Sequence, residues 1–351
     1  MRFGSRTTDP LRGLASLGVV LGLLVTIPGT AGAWGYAVHR LINRNAVANL
    51  PSDFSGFAQY AAQLEALATA ADERKSSTPG ENIRHYINID EFAEFQAGTF
   101  PHQYADAVSR YGLSRLQSAG VGPWALENSY NQMVAAFVAR DWTAAVAAAG
   151  DIGHYAGDLH QPLHLTSNYD GQESGQRGLH SRFESRLTGK HMTDFTPFPG
   201  AASFVADPLE REFAWINTTY PGVSVILAAD LAAKSAAGGS TSSDTYYNSM
   251  WEQLGQDTWY WIGLASFDIA SFWYSAWIEA GAPPLPGTSP VEPATWSRIK
   301  GLLVAGGATR PVRQPIASPA GSSRTNGRNR PGPVINSLPT GSLVSHHDCG
   351  E

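Results

Sequence analysis

Two side-chain pairs, His154 with Asp158 and His180 with Glu184, share an i, i+4 spacing. On a helix that spacing puts both members on one face, a turn apart. His164 lies between the pairs in GHYAGDLHQPLH, beyond Pro162, which ends the first helix and lets the chain fold back. All five side chains offer an imidazole nitrogen or a carboxylate oxygen, the donor types that zinc takes. Two helical pairs plus one ligand just past a helix end imply several ions held between packed helices. One pair alone would carry little weight; two, with more candidates upstream, restrict the chain to a helical scaffold.

The first 33 residues read as a signal peptide. Arg2, Arg6 and Arg12 make a basic start, an apolar run extends from Leu14 to Ile27, and Ala31-Gly32-Ala33 forms an A-x-A cleavage site. The apolar run is short for a membrane span. Cleavage would leave Trp34 as the new N-terminus and place the protein outside the cytoplasm, secreted or periplasmic. Cys349 is the single cysteine, so no intramolecular disulfide forms and rigidity must come from a large core or from metals. With 43% hydrophobic residues and 10 tryptophans, a large core is available. The net charge of −6 argues against a protein that coats nucleic acid, without excluding a nuclease whose positive charge is bound metal.

Residues 34–282 read as one mostly helical domain. Helical periodicity is expected over Val38 to Leu50, stopping at Pro51, over Phe57 to Ala71, over Leu126 to Val138 and over Trp142 to Leu159. The aromatic stretch from Tyr246 to Ala280 is apolar almost all round, but Asp257, Asp268 and Glu279 interrupt it. It reads as a buried core helix, with Gly263 a candidate break, rather than as a membrane span. Residues 283–351 are rich in Pro, Gly, Ser and Arg and read as a disordered tail; His346, His347 and Asp348 within it are given no role. The expected fold is therefore all-α: a single multi-helix domain built around a multinuclear zinc site, followed by that tail.

Further candidates lie upstream: His39, five residues after Trp34; Asp72, at the end of the second helix; and His85, in RHYINID. Half of the chain's ten histidines thus join the presumed site. In order and approximate spacing, Trp34 with His39, Asp72 to His85, His154-x-x-x-Asp158, DLHQPLH ending at His164, and His180-x-x-x-Glu184 resemble the superfamily of zinc-dependent phospholipases C and single-strand-specific nucleases. The resemblance spans Trp34 to Glu184 and extends more weakly to Ala282. It implies an α-helical protein with three zinc ions. Asp72, His85, His154 and Asp158 would hold one ion, and His164, His180 and Glu184 a second. The amino and carbonyl groups of Trp34, with His39 and Asp158, would hold the third, so that Asp158 bridges two ions. Signal cleavage would then be activation, because only a free amino group at Trp34 completes the site. It further implies hydrolysis of a phosphodiester by a metal-bridging hydroxide, with Asp72 orienting or deprotonating the water.

Other residues take plainer readings. His160 points away from His154 and Asp158 by helical phase, and is assigned a structural hydrogen bond. Asp90 is a candidate supporting carboxylate, and Glu73 is the alternative to Asp72. His102 and His191 match no motif. Tyr86 and Asn88, adjacent to His85, are candidate substrate-binding residues. The aromatics from Trp251 to Trp277 are read as core.

The substrate signals divide. The short Trp34-to-His39 spacing, HYIN and GDLHQPLH are nuclease-like; HSRFE, ending in Glu184, is phospholipase-like. The Gly-Gly-Asn element of the nucleases is replaced by DGQESG, and Glu73 and Asn82 stand where a choline pocket would have aromatics. The expectation is a zinc phosphodiester hydrolase of phospholipase C type. A single-strand-specific endonuclease with nucleotidase activity is the alternative, and a catalytically silent zinc-binding protein the second. The partners are phospholipid or single-stranded nucleic acid as substrate, with no obligate protein partner and no membrane span in the mature chain. An adhesin is disfavoured because the ligands are concentrated in one cluster.

Overall fold

The computed structural model describes residues 34–287, besides Met1. The expected cleavage site at Ala33 and the tail beyond Gly287 lie outside the described residues. Among the described residues the chain is all-helical, with no β-strand. The helices run α1 (Tyr36–Ala48), α2 (Ala61–Leu67), α3 (Ala70–Glu73), α4 (Ala93–Gln96), α5 (Tyr104–Tyr111), α6 (Leu113–Ala119), α7 (Gly122–Ala139) and α8 (Trp142–Leu159). Then come α9 (Leu179–Ser181), α10 (Thr188–Lys190), α11 (Pro208–Thr219), α12 (Gly222–Ala236) and α13 (Asp244–Glu279).

α7 and α8 form a tight helical hairpin. Arg140 ends α7 in the left-handed region at φ 57°, and Asp141 starts α8 by accepting from the Ala144 amide at 3.0 Å. That bond satisfies one of the donors left free at a helix start. α13 packs against α1, α7, α8 and α12. Its first half buries a stripe through Tyr246, Met250, Leu254 and Thr258, and from Asp268 to Ile278 every residue is buried. The indole of Trp273 donates to the Ala149 carbonyl at 3.1 Å, which ties α13 to α8. Phe54, Phe57, Phe137, Tyr274 and Trp277 pack around that junction, with Phe54 and Phe57 stacked at 4.9 Å. Each such ring removed from water contributes roughly 1.5–3 kcal/mol before its entropy cost. No helix of the described residues is long and apolar enough to cross a membrane.

Two expectations change in detail. α13 is continuous through Gly263. The glycine serves a close approach instead of a break, since a Cβ there would stand 3.0 Å from the Phe198 ring. The helix expected over Phe57 to Ala71 is divided into a 3₁₀ segment at Ser55–Tyr60, then α2, then the single turn α3. That division places Asp72, buried, on a short independent turn.

Candidate metal centre

α8 is the scaffold of the site. It presents His154 and Asp158 from one face, both fully buried. Three glycines make the same helix approachable by its neighbours. A Cβ at Gly153 would lie 2.1 Å from Asn43 Oδ1, one at Gly157 3.1 Å from His39 Nδ1, and one at Gly150 2.6 Å from Leu67 Cβ. α1 and α2 therefore press directly on α8, and α1 brings His39 with it. His39 and His154 stack with ring centroids 4.1 Å apart.

Asp72 Oδ1, His85 Nδ1, His154 Nε2 and Asp158 Oδ2 converge. His85 Nδ1 is 2.9 Å from His154 Nε2, 3.0 Å from Asp158 Oδ2 and 3.6 Å from Asp72 Oδ1. His154 Nε2 is 3.3 Å from Asp158 Oδ2 and 3.6 Å from Asp72 Oδ1. Donors about 2.05 Å from a tetrahedral zinc ion would lie ~3.3 Å from one another, and these separations bracket that value. Asp158 turns its other oxygen away, with Oδ1 3.3 Å from His39 Nε2 and 3.6 Å from His164 Nδ1. Its two oxygens thus face different groups of ligands.

A second focus is formed by His164, His180 and Glu184. The two Nε2 atoms are 3.3 Å apart, and Glu184 Oε2 is 2.7 Å from His180 Nε2 and 3.8 Å from His164 Nε2. His164 leaves the 3₁₀ turn Pro162–Leu165, as the proline break requires. Its Nδ1 donates to the His85 carbonyl at 2.7 Å, leaving Nε2 for the site. His154 is oriented in the same manner, Nδ1 donating to the Ala68 carbonyl at 2.7 Å. The segment carrying Glu184 is a π-helical stretch, Arg182–Leu187, continuing α9. Glu184 is fully buried all the same, and π turns recur at functional sites.

The burial has no protein-only account. Nδ1 of His39, Oδ2 of Asp72 and Oε1 of Glu184 are buried with neither a hydrogen-bond nor an ion-pair partner. Buried polar atoms cost free energy unless paired. Imidazoles and carboxylates set at donor-to-donor distances suit a transition-metal ion, and three such groups share this small volume: His39, His154 and Asp158; Asp72, His85 and His154; His164, His180 and Glu184. The residues fit divalent metal.

The electrostatics agree. Burial would lower the pKa of His154, but Asp158 and Asp72 overcome it and push it up to about 10. Burial takes His85 down to about 4 despite Asp158, and lowers His39 as well. For Asp72 and Asp158, burial is outweighed by the surrounding imidazoles, which hold both carboxyls below the ordinary range. Glu184 is held down by His180 against its own burial.

Each predicted residue has a definite place. Trp34 is fully buried, its indole donating to the Gly157 carbonyl at 2.9 Å and its ring tilted on Phe183. The turn before His39 is thereby anchored one residue from Asp158. Tyr86 and Asn88 line a cleft of 530 Å³ that opens onto His85, His164 and His180. Asp72 is buried while Glu73 is exposed and bonded to Thr69 at 2.8 Å, so Asp72 is the residue of the site. Asp90 accepts from Thr166 at 2.6 Å and from the Ser167 amide at 3.0 Å, pinning the chain beyond His164. His160 donates to the Ala156 carbonyl at 2.7 Å and meets Asp268 of α13 at 3.3 Å, a structural tie. His102 pairs with Glu210 at 2.9 Å and His191 with Asp194 at 3.0 Å, both apart from the cluster.

Sequence reasoning missed three residues here. Lys75 lines the cleft and reaches Asp72 Oδ1 at 2.5 Å; its i+3 position from Asp72 was a usable signal. Tyr169 lines the same cleft from an irregular loop, which no spacing announces. Glu81, four residues before His85, is fully buried.

No family model matches the chain. Over 194 residues it is 25% identical to a probable serine protease from Bradyrhizobium tropiciagri, a match that covers 48% of this chain and 25% of that protein. Likeness at that level, over a quarter of the relative's length, assigns no family.

Proposed function

We propose that the chain is a secreted or periplasmic zinc-dependent phosphodiester hydrolase of the phospholipase C type. The observation that carries this reading is the meeting of three imidazole–carboxylate groups behind a cleft that His85, His164 and His180 line, with His39 Nδ1, Asp72 Oδ2 and Glu184 Oε1 buried and unpaired. Mixed nitrogen and oxygen donors at these separations favour zinc. Metal ions bound there supply acidified water and neutralise charge on phosphoryl oxygens.

The chain's own residues do the rest. Asp72 holds Oδ1 toward His85 and His154 and keeps a second, unpaired oxygen, Oδ2, to orient a water or take its proton. Lys75 brings a cation to the same cleft, within reach of an anionic substrate. His164 and His180 reach the wall of the cleft, and His180 keeps 15% of its side chain exposed. A site used only for folding would be closed on all sides, which argues against the silent zinc protein. Glu184 within HSRFE supports a lipid substrate.

A nucleic-acid reading has its own support. Tyr86 and Tyr169 share the cleft with Asn82 and Asn88, and rings with adjacent amides suit a base. The relative's name raises serine chemistry, but among the described residues no serine hydroxyl is bonded to an imidazole of the site. The deciding experiment is turnover by zinc-loaded protein beginning at Trp34, on phospholipid micelles and on single-stranded nucleic acid. Diacylglycerol release without nucleic-acid cleavage establishes the first reading; nucleotide release alone establishes the second. Turnover of neither substrate by zinc-replete protein would refute hydrolysis of both.

A further inference from the structure

His85 meets the other ligands through Nδ1, the nitrogen nearer its backbone, and this needs a cause. Its outer nitrogen, Nε2, is buried, makes no hydrogen bond and has Glu81 Oε1 at 3.7 Å. Glu81 is fully buried and held in place from several sides. Arg74 Nε meets Oε2 at 3.0 Å, Arg84 approaches Oε2 at 3.6 Å, and the Tyr155 hydroxyl donates to Oε1. Arg74 in turn makes paired bonds to Asp151 of α8, both 2.9 Å, and donates to the Tyr155 hydroxyl at 2.9 Å. Tyr155 follows His154 directly on α8. Its ring stands edge-on to His85 at 5.5 Å and to His154 at 5.9 Å.

We infer that Glu81, locked by Arg74 and Tyr155, is the positioning residue of His85: it fixes the Nε2–H tautomer and so leaves Nδ1 as the ligating atom. The inference rests on the metal reading of the site. A carboxylate behind a ligating imidazole orients the ring, selects its tautomer and raises its basicity, and losing such a partner costs ~10–100-fold in metal affinity. Arg74 anchors Glu81 to Asp151 on the same helix that carries His154 and Asp158. The loop ligand is thus held in register with the helical ligands by a chain of bonds outside the cleft. Glu81 touches neither substrate nor cleft; it acts through His85.

The test uses Glu81→Gln and Tyr155→Phe in the full chain processed to Trp34. Zinc stoichiometry and affinity are measured in competition with a chelator, and cadmium-loaded samples are compared by ¹¹³Cd NMR. Wild-type protein should bind the metal. Both variants should lose ~10–100-fold in affinity for one ion, shifting one cadmium resonance while that of the His164–His180–Glu184 ion stays in place. Equal affinity and unmoved resonances in folded variants would overturn the positioning role. If Glu81→Gln does not fold, Tyr155→Phe, which removes one hydroxyl, decides by the same readouts. Wild-type protein that binds no zinc would overturn the metal reading itself, an outcome distinct from variants that bind like wild type.

Discussion

The Gly157 backbone runs so close to the His39 ring that a Cβ at 157 would stand 3.1 Å from Nδ1. Gly157→Ala should therefore act against helix propensity. Replacing Gly by Ala where the backbone tolerates it stabilises by ~0.4–1 kcal/mol. Here the methyl pushes on a fully buried imidazole whose other nitrogen lies 3.3 Å from Asp158. Destabilisation of ~1–3 kcal/mol is expected, as for an overpacked core, along with loss of the ion that His39 serves. Thermal denaturation with metal analysis checks both; a stabilised variant with full zinc content would show that His39 moves freely.

Asp158 turns its two oxygens to different imidazoles, Oδ1 toward His39 and Oδ2 toward His85 and His154. Asp158→Asn keeps the shape and removes the charge. It should lower metal affinity by more than the ~10–100-fold typical of an outer hydrogen-bonding partner, and abolish turnover. Elemental analysis of the purified variant against wild type is the check. Full zinc content with full turnover would remove Asp158 from the centre.

How far the sequence revealed this site depends on how local each relationship is. His154 with Asp158 is written in one helix, and its spacing is visible by eye. His164 is placed by Pro162. The pairing of Asp72 with His85, by contrast, crosses a run of short turns; both were candidates by residue type, and only the resemblance to known enzymes paired them. The π-helical stretch around Glu184 was invisible because a spacing of four fits α and π turns alike. α11 and α12 were not anticipated, although Asp207 caps α11 and Pro208 opens it. The role of α8 glycines was equally hidden, since closeness of approach is a property of the partner helix. Gly263 was read as a weakness in α13 for the same reason.

Proton release should accompany metal binding. In the metal-free protein His154, held up to about 10 by Asp158 and Asp72 against its burial, carries two protons at neutral pH. Its raised pKa stabilises the metal-free fold fully below the ordinary 6.5, a contribution lost as pH rises through about 10. A metal ion at Nε2 displaces that proton, so binding should weaken as pH falls. Calorimetry of zinc binding at pH 7.5 in buffers of different ionisation enthalpy should show net release, and His154→Ala should reduce it. Release that is unchanged in the variant would locate the displaced protons elsewhere.

The packed body extends past the expected boundary at Ala282. The Trp277 indole, 1% exposed, donates to the Pro283 carbonyl at 2.9 Å, Leu285 is buried, and Gln59 donates to the Pro286 carbonyl at 3.0 Å. Two truncations should therefore differ. A chain ended after Gly287 should keep the melting temperature and zinc content of the full protein. A chain ended after Ala282 leaves the Trp277 N–H buried without its acceptor and uncovers the surface under Leu285. An orphaned buried donor costs ~1–3 kcal/mol, so the shorter form should melt several degrees lower. Calorimetry on the two forms side by side checks this; equal melting temperatures would mean that residues 283–287 contribute nothing to the body they rest on.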